Sequence, residues 1–508
     1  MIRRIGVDLG MKSNHKIVVV DESGNTGRPT SIEFSLDGFQ TLLDKALNGQ
    51  DRCTTQVLME PTGNVWLPLA AFLRAHGVPI VMNNTQKVSA FRKVLRQYVK
   101  TDIVDAEANA RLPQLDPKRT HKFEMPPVEV LSLRHLVKER DRFVRDITAC
   151  KQRIHGALQL VNPRLTDCFG EEKFTQTARV MLRDYADPFT VVKLGEKTFS
   201  KQLRKKSRRV SEEQVHDIFV ACDEVCRLYK VLVESKALPF DYRVQCRTIH
   251  RELAAIEFAE AQVKELDASI KELYERIDPA QTLHQIPGMG STITAAIEAL
   301  SSPVDRFRNA KAYASYCGLV PRMSQTGVGP HDRSCHITKS GQRLLKKYLH
   351  LAAETARQVD PELAAYYAAK SAAGCHHGRI MAALAHKLAR RVYALLRRRE
   401  NDALRQDNNH QLQTYQLRTP QGEVLSREAA RAYVKEHYPS KRETARRITR
   451  RVNKKRDASQ LENEGQPEGS ANRVRRDHVP ALTLPKTESL FHLKSVSPMP
   501  VENSVENG

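Results

Sequence analysis

The sequence predicts a mixed α/β N-terminal domain followed by a mainly α-helical chain. Short apolar runs alternate with helical patterns over residues 1–125, which is typical of a sheet covered by helices. A seven-residue apolar repeat over residues 249–277 indicates a coiled coil within a helical region that spans residues 126–280. Glycine turns that open basic helices indicate a further helical domain over residues 281–400.

The composition favours a polyanionic partner. The 508 residues suffice for about three domains. An excess of 82 Lys and Arg over 59 Asp and Glu gives a net charge of +23, which attracts nucleic acid or an acidic membrane surface. The sequence has no apolar run long enough to cross a membrane, so we expect no membrane partner. The nine scattered cysteines and the lack of a signal-peptide core predict a cytoplasmic protein.

Two predicted strands end on carboxylates. The apolar run at residues 2–8 ends at Asp8, and the run at residues 56–60 ends at Glu60 and is followed by the turn Pro-Thr-Gly. Both acids therefore stand at strand ends, where they can meet above one sheet edge. The remaining predicted elements of this domain are strands at 16–21, 31–34 and 78–82 and helices at 39–47, 65–76 and 85–95.

Two further acids lie at a predicted helix start. Thr101 is a suitable cap, and Asp102 and Asp105 stand three residues apart, so both lie on one helix face. Taken singly, each acid is also explained as a solvated turn residue or as a first-turn acid that the helix dipole favours. Two carboxylates about 4 Å apart repel by about 4 kcal/mol at an effective dielectric near 20, so a cluster requires cations or protons.

The chemistry of four clustered carboxylates points to divalent cations. Hard oxygen ligands suit Mg²⁺ or Mn²⁺, and two such ions can clamp the attacking and leaving oxygens of a phosphodiester. The residues therefore predict a metal-dependent nuclease or strand-transferase site.

The helical region carries two long amphipathic stretches. Residues 128–161 have one apolar stripe, and the repeat at 249–277 forms a seam of a-type and d-type positions. This seam can pair with the first stretch of the same chain or with a second subunit. The a-type and d-type residues are Ile249, Ala259, Ile256, Val263, Leu266, Ile270, Leu273 and Ile277.

The region after residue 280 carries glycine turns and basic side chains. The segment IPGMGSTI resembles a helix-hairpin-helix turn, whose backbone N–H groups hold a phosphate, although an ordinary glycine turn has the same pattern. The predicted nucleic-acid-binding residues are Gly288, Gly290, Arg322, Lys339, Arg343, Lys346 and Lys347.

The C-terminal residues differ in composition. Hydrophobic density falls after residue 400, and residues 441–456 are nearly all basic. We therefore predict that residues 401–508 form a mostly disordered tail with a nucleic-acid-binding segment.

Six segments together resemble one known family. IGVDLG, LMEPTG and KTDIVDA, followed by IPGMG, FRNAKAYASYCGLVPR and ITKSGQRLLKK, are similar to the DEDD-type insertion-sequence transposases of the IS110 family, the bridge-RNA-guided recombinases. The similarity covers about residues 1–400. It implies a RuvC-like, RNase H-type domain at residues 1–125, a C-terminal transposase domain, a DNA substrate, a structured guide RNA, and a coiled coil that joins subunits into a dimer or tetramer. It also implies that Mg²⁺ or Mn²⁺ is bound by Asp8, Glu60, Asp102 and Asp105.

The resemblance further implies a nucleophilic hydroxyl. In the family, a serine just before a glycine, shortly after a proline–arginine pair, attacks DNA and forms a phosphoserine. This sequence has Thr326 before Gly327 and Ser324 two residues earlier. The additional methyl group of threonine crowds the in-line approach, so Thr326 and Ser324 both remain candidates, as does an inactive protein.

Several functions therefore compete. The leading hypothesis is an RNA-guided DNA recombinase that moves its own element. The alternatives are a metal-dependent junction-resolving nuclease and a catalytically degenerate transposase relative that only binds nucleic acid. An actin-like kinase is a weaker alternative, because no second glycine-rich acidic loop follows the segment IGVDLG in the sequence.

Overall fold

The computed structural model describes residues 2–21, 23–47, 54–95, 99–115, 117, 122–169, 174–322, 336–405 and 415–439. The predicted mixed α/β domain and the mainly helical chain that follows it are both confirmed. In the described part of the chain, no helix is long and apolar enough to span a membrane.

The N-terminal domain is built on a mixed five-stranded sheet. Its strands are β1 (Arg3–Asp8), β2 (His15–Val20), β3 (Thr30–Ile32), β4 (Thr55–Met59) and β5 (Ile80–Met82). The strand order is β3-β2-β1-β4-β5, with β1 antiparallel to β2 and parallel to β4. The parallel pairs place the carboxyl ends of β1, β4 and β5 at one edge of the sheet.

Helices cover both faces of this sheet. They are α1 (Leu36–Leu47), α2 (Trp66–Ala75), α3 (Thr85–Leu95) and α4 (Asp102–Leu115). One face packs against α1 and α2 around residues such as Ile5 and Leu69, whereas Val18 and Val20 on the other face contact α4. Helix α1 begins three residues before the predicted start, because the Gly38 N–H donates to Ser35 Oγ (3.1 Å) and so closes the first turn.

Helix α4 lies unusually close to β1. A Cβ atom at Gly6 would overlap the carbonyl oxygen of Ala106 and would lie 2.7 Å from the backbone nitrogen of Ala110. Only glycine allows the helix backbone to touch the strand at this point. This contact fixes which turn of α4 lies beside the end of β1.

Two long antiparallel helices form the centre of the next region. They are α5 (Val128–Val161) and α10 (Tyr242–Ile277). Arg140 pairs with Asp267 at 2.6 Å and Arg153 with Glu252 at 2.8 Å, which shows that the helices run in opposite directions. The predicted apolar seam of α10 thus packs against the first helix of the same chain, while its supercoiling as a coiled coil remains a prediction.

Shorter helices surround one end of this pair and form a separate core. They are α6 (Gln176–Asp184), α7 (Pro188–Leu194), α8 (Glu196–Lys206) and α9 (Glu212–Glu234). Their buried residues, including Phe199 and Ile218, pack against Ile154 of α5 and Ile249 of α10.

The C-terminal helices share a core with the other end of the pair. They are α11 (Ser291–Ser301), α12 (Ala310–Tyr316), α13 (Arg343–Ala356), α14 (Pro361–Ala372) and α15 (His377–Arg405), with a short hairpin of β6 (Pro321–Arg322) and β7 (His336–Ile337). Leu133 of α5 and Leu273 of α10 belong to this core. This packing crosses the predicted domain boundary near residue 280, and that boundary remains a prediction.

Part of the predicted disordered tail is folded. Residues 415–439 contain β8 (Leu417–Arg418), β9 (Val424–Leu425) and α16 (Arg427–His437). The Ala429 N–H donates to Ser426 Oγ (3.2 Å) at the start of α16, and Val434 is buried. For this segment the prediction of disorder was wrong, because a few apolar side chains and a helix cap suffice once a neighbouring helix offers a surface. The basic run at 441–456 lies outside the described residues.

We predict that Gly6→Ala destabilises the N-terminal domain by about 1–3 kcal/mol or more, because the new methyl group forces α4 away from β1. Trp66 is the only tryptophan of the chain and lies in this domain, so its fluorescence during urea denaturation reports the effect. Gly156→Ala is the matched control, since Gly156 is exposed on α5 with open space around it and alanine should stabilise the helix by about 0.5–1 kcal/mol. Equal stability of Gly6→Ala and wild type would contradict the proposed close approach.

Candidate active site

The ends of two parallel strands bring Asp8 and Glu60 together. Val7 of β1 pairs with Met59 of β4 in the parallel register, so the next residue on each strand is an acid at the same sheet edge. Both side chains are half-buried. The sequence-based expectation that these strand-end acids converge is therefore consistent with the strand register.

Helix α4 supplies the other two acids. The Val104 N–H donates to Thr101 Oγ1 (3.3 Å), so Thr101 caps the helix as predicted. Asp105 directly precedes Ala106, the residue that contacts Gly6 on β1. The first turn of α4, which carries Asp102 and Asp105, therefore lies next to the end of β1. We call Asp8, Glu60, Asp102 and Asp105 the acid cluster.

A buried asparagine pair holds α4 against the sheet. Asn109 Nδ2 donates to the carbonyl oxygens of Val7 (3.4 Å) and Asp105 (3.1 Å). Asn83 Nδ2 in turn donates to Asn109 Oδ1 (2.9 Å), and the Asn83 N–H donates to the carbonyl oxygen of Met59 (2.9 Å). Because buried amides keep their hydrogen-bond partners, this network fixes the helix relative to β1 and β4.

The charges of the four acids act on one another. Burial raises the pKa of Asp8 to about 6, with further upward contributions from the negative charges of Asp102, Asp105 and Glu60. Burial also raises the pKa of Glu60, whereas hydrogen bonds from Thr85 and Asn109 oppose that rise. Four residues that are distant in sequence thus form one negatively charged site.

Arg92 is a cation in the site that sequence reasoning missed. Its Nη1 donates to both carboxylate oxygens of Asp105, at 3.0 and 3.2 Å, and the two side chains are only 16% and 17% exposed. Its charge also lowers the pKa of Glu60. The basic helix at 85–95 was predicted, but nothing in its pattern shows which of its cations faces the acids. Asn109 had a usable signal, since it lies one helical turn after Asp105.

The donor set suits a hard divalent cation in chemical type and charge, because it consists of carboxylates that repel one another without a counter-ion. Among the described residues, however, no group of three or more His, Cys, Asp or Glu side chains is arranged to hold a single metal ion. Asp105 instead binds Arg92. If the acid cluster shared a cation, Asp105 would bind it in addition to Arg92 or in place of Arg92.

The structure describes the predicted basic residues but not the two predicted nucleophilic hydroxyls. Thr326 and Ser324 lie outside the described residues. Arg322, Lys339 and Arg343 are exposed, whereas Lys346 Nζ donates to the carbonyl oxygen of Thr338 (3.2 Å) and Lys347 pairs with Asp141 (2.6 Å). Their roles in nucleic-acid binding remain predictions.

The two glycines of the IPGMG turn differ in their surroundings. Gly288 has a φ of +83°, and a Cβ there would lie 2.5 Å from the backbone nitrogen of Ala356 on α13, so close packing by itself accounts for this glycine. Gly290 has open space around its Cα at the start of α11. Phosphate binding at this turn remains a prediction for both residues.

Two parts of the chain match known protein families. Residues 5–163 match the DEDD family of IS110 elements, described as "Transposase", and residues 280–368 match the "Transposase IS116/IS110/IS902 family". The first match contains the whole acid cluster. The chain therefore carries transposase domains of the IS110 type.

Two curated proteins are similar over much of their length. An "Insertion element IS116 uncharacterized 44.8 kDa protein" of Streptomyces clavuligerus is 25% identical over 401 residues, which cover 77% of this chain and 94% of the relative. An "Insertion element IS110 uncharacterized 43.6 kDa protein" of Streptomyces coelicolor is 26% identical over 311 residues, which cover 61% of this chain and 74% of the relative.

We predict that Asp8→Asn stabilises the N-terminal domain at pH 7.5 in EDTA. A carboxyl with a raised pKa contributes stability that is complete below its unfolded value of 3.8 and is lost as the pH rises through about 6. Removing the ionised group should therefore raise the free energy of unfolding at pH 7.5 by about 1–3 kcal/mol, and this advantage should disappear near pH 4. The measurement is urea denaturation followed by Trp66 fluorescence, with Asp44→Asn as the control, an exposed acid of the same domain. A gain equal at both pH values would contradict the assignment.

Proposed function

We propose that this chain, which carries the domains of an insertion-element transposase of the IS110/IS116 type, cleaves and rejoins DNA at the acid cluster. The observation that carries the proposal is the convergence of acids from positions 8, 60, 102 and 105 at one sheet edge, where burial and the negative charges of the other three acids raise the pKa of Asp8. We also propose that the N-terminal domain has a RuvC-like, RNase H-type fold. The sheet supports this proposal, because three antiparallel strands precede two parallel ones.

Asp8, Glu60, Asp102 and Asp105 would hold Mg²⁺ or Mn²⁺. Such cations, when bound, supply positive charge for the phosphodiester undergoing displacement and favour an ionised nucleophile. The chain's own residues prepare the site: Thr85 and Asn109 orient Glu60, and Asn109 fixes the turn of α4 that carries Asp105. Arg92 shields Asp105 until a cation takes its place.

The nucleophile in the proposal is the hydroxyl of Thr326, with Ser324 as the alternative. The hydroxyl oxygen forms a bond to phosphorus while the bond from phosphorus to the leaving deoxyribose oxygen breaks. The hydroxyl proton is lost to base, and the leaving oxygen gains a proton, so charge and atoms balance. A junction-resolving nuclease remains the second candidate, because the acid cluster is complete without a protein hydroxyl and could direct water instead.

A structured guide RNA and a homo-oligomer complete the proposal. The net charge of +23 supports a second polyanion besides DNA. Since the seam of α10 is used within the chain, assembly through the predicted coiled coil must use the outer surface of the helix pair. Phe258, which is 61% exposed on α10, is available there.

We predict that Asp102→Asn reduces recombination at least about 10²-fold, because it removes one of the four carboxylates proposed to hold the divalent cations. The assay combines the protein, guide RNA, donor and target DNA and Mg²⁺, and counts exchanged products. Glu107→Gln is the matched control, since Glu107 lies on the same helix and pairs with Arg111 at 2.8 Å. Thr326→Ala and Ser324→Ala distinguish the hydroxyls, and a covalent protein–DNA adduct on a denaturing gel distinguishes the transposase from the nuclease. Full recombination by Asp102→Asn would remove this residue from the mechanism.

We also predict that Arg92→Gln makes the domain more dependent on divalent cations. Without the guanidinium, the free energy of unfolding in EDTA should fall by about 1–3 kcal/mol, and Mg²⁺ should then raise the melting temperature more than in wild type, because Asp105 is already free. Arg111→Gln removes a comparable ion pair from α4 and is the control. Identical Mg²⁺ responses of the two variants would contradict the role given to Arg92.

A further inference from the structure

A long cleft separates α2 from the first half of α5. It has a volume of about 1820 Å³. One wall consists of the loop that follows Glu60 and the exposed face of α2, and the other consists of α5 with Tyr316 and Gln342 from the C-terminal helices. Because Pro61, Gly63 and Asn64 line it, the cleft begins immediately beside the acid cluster.

Among the charged side chains that line this cleft, cations predominate. On α5 they stand at intervals of four, four and three residues, which places them on one helix face with a rise of about 4.5–6 Å between neighbours. A fifth cation, Arg74, faces them from α2, and Glu139 is the acid among the lining residues. The α5 cations are Arg134, Lys138, Arg142 and Arg145.

Two of these cations have no counter-charge among the described residues. Arg134 donates only to backbone carbonyls, from Nε to Ala299 (2.7 Å) and from Nη2 to Ser302 (3.2 Å). Burial lowers the pKa of both Arg134 and Lys138, and a neighbouring cation lowers each further. Arg134 is half-buried and Lys138 is exposed, and like charges held next to each other in this way are stabilised by a bound anion.

Aromatic rings lie on both walls. Trp66 is half-buried on α2 and makes an edge contact with Phe123 at 5.8 Å between ring centroids. Tyr316 is half-buried on the opposite wall and stacks beneath the guanidinium of Arg306 at 4.9 Å. A positively charged groove with aromatic rings is the arrangement that binds unpaired bases and their phosphates.

The cleft is elongated along α5. The lining residues extend along α5 from Val128 to Arg145, which corresponds to about 25 Å of helix.

We propose that this cleft binds a single strand of nucleic acid and leads it to the acid cluster. The inference rests on the proposed function for the statement that the cleft binds nucleic acid. It adds where the nucleic acid binds and that it is single-stranded. Phosphates contact the α5 cations, bases lie against Trp66, and the strand leaves past the loop at Gly63 toward Glu60.

The test uses Trp66 as an internal probe. In EDTA, where cleavage is suppressed, the full-length protein is titrated with (dT)12, (rU)12 and a 12-base-pair duplex, and tryptophan fluorescence and the anisotropy of labelled strands are measured. Single strands should quench Trp66 and bind more tightly than the duplex. Lys138→Gln with Arg142→Gln should weaken single-strand binding about 10-fold or more and reduce the salt slope by about 1.4.

The matched control is Arg227→Gln with Lys271→Gln, which removes two exposed cations from α9 and α10 outside the cleft. If Lys138→Gln with Arg142→Gln weakens the binding of only (dT)12 or only (rU)12, the result supports the cleft as the binding site and identifies the strand as DNA or RNA, respectively. Equal losses in both double variants, duplex binding as tight as single-strand binding, or binding that leaves Trp66 unquenched would overturn the inference. The Asp8→Asn variant should still bind single strands in the cleft. Loss of the chemistry at the acid cluster and loss of binding in the cleft are therefore measured separately.

Discussion

The close approach of α4 to β1 at Gly6 is the contact on which the site depends. Without a Cβ at this position, the backbone of the helix touches the strand, and Asp105 lies next to the contact residue Ala106. The buried amide of Asn109 then fixes the rotation of the helix through its bond to the Val7 carbonyl. The strand ends and the first turn of α4 consequently share one edge of the sheet, although the end of β1 is separated from α4 by about a hundred residues.

The same contact forces negative charges together. The raised pKa of Asp8 is the electrostatic consequence of burial beside three other acids. Arg92 offsets part of this repulsion at Asp105, and the hydrogen bonds from Thr85 and Asn109 offset part of it at Glu60. The remaining imbalance favours a proton on Asp8 and would favour the proposed divalent cations, so the residues that strain the fold electrostatically are also those that serve the proposed chemistry.

Helix α5 connects this site to the rest of the molecule. Its apolar face packs along α10, and Leu133 and Val137 enter the core of the C-terminal helices. Its exposed cations form one wall of the cleft that begins after Glu60. The regions that match the two transposase families therefore meet along a single helix, which would give the proposed nucleic-acid strand a continuous surface between them.

Local patterns in the sequence determined the strand-end acids Asp8 and Glu60, the Thr101 cap and the seam of α10, because alternation, capping and seven-residue spacing depend on nearby residues alone. The tertiary structure decided that α5 is the partner of that seam, that Arg92 is the counter-ion of Asp105, and that Gly288 packs against α13. It also decided that residues 415–439 fold on their neighbours. Such pairings depend on which surfaces meet across long stretches of chain, and a local pattern shows which face of a helix is apolar or charged but not what lies opposite it.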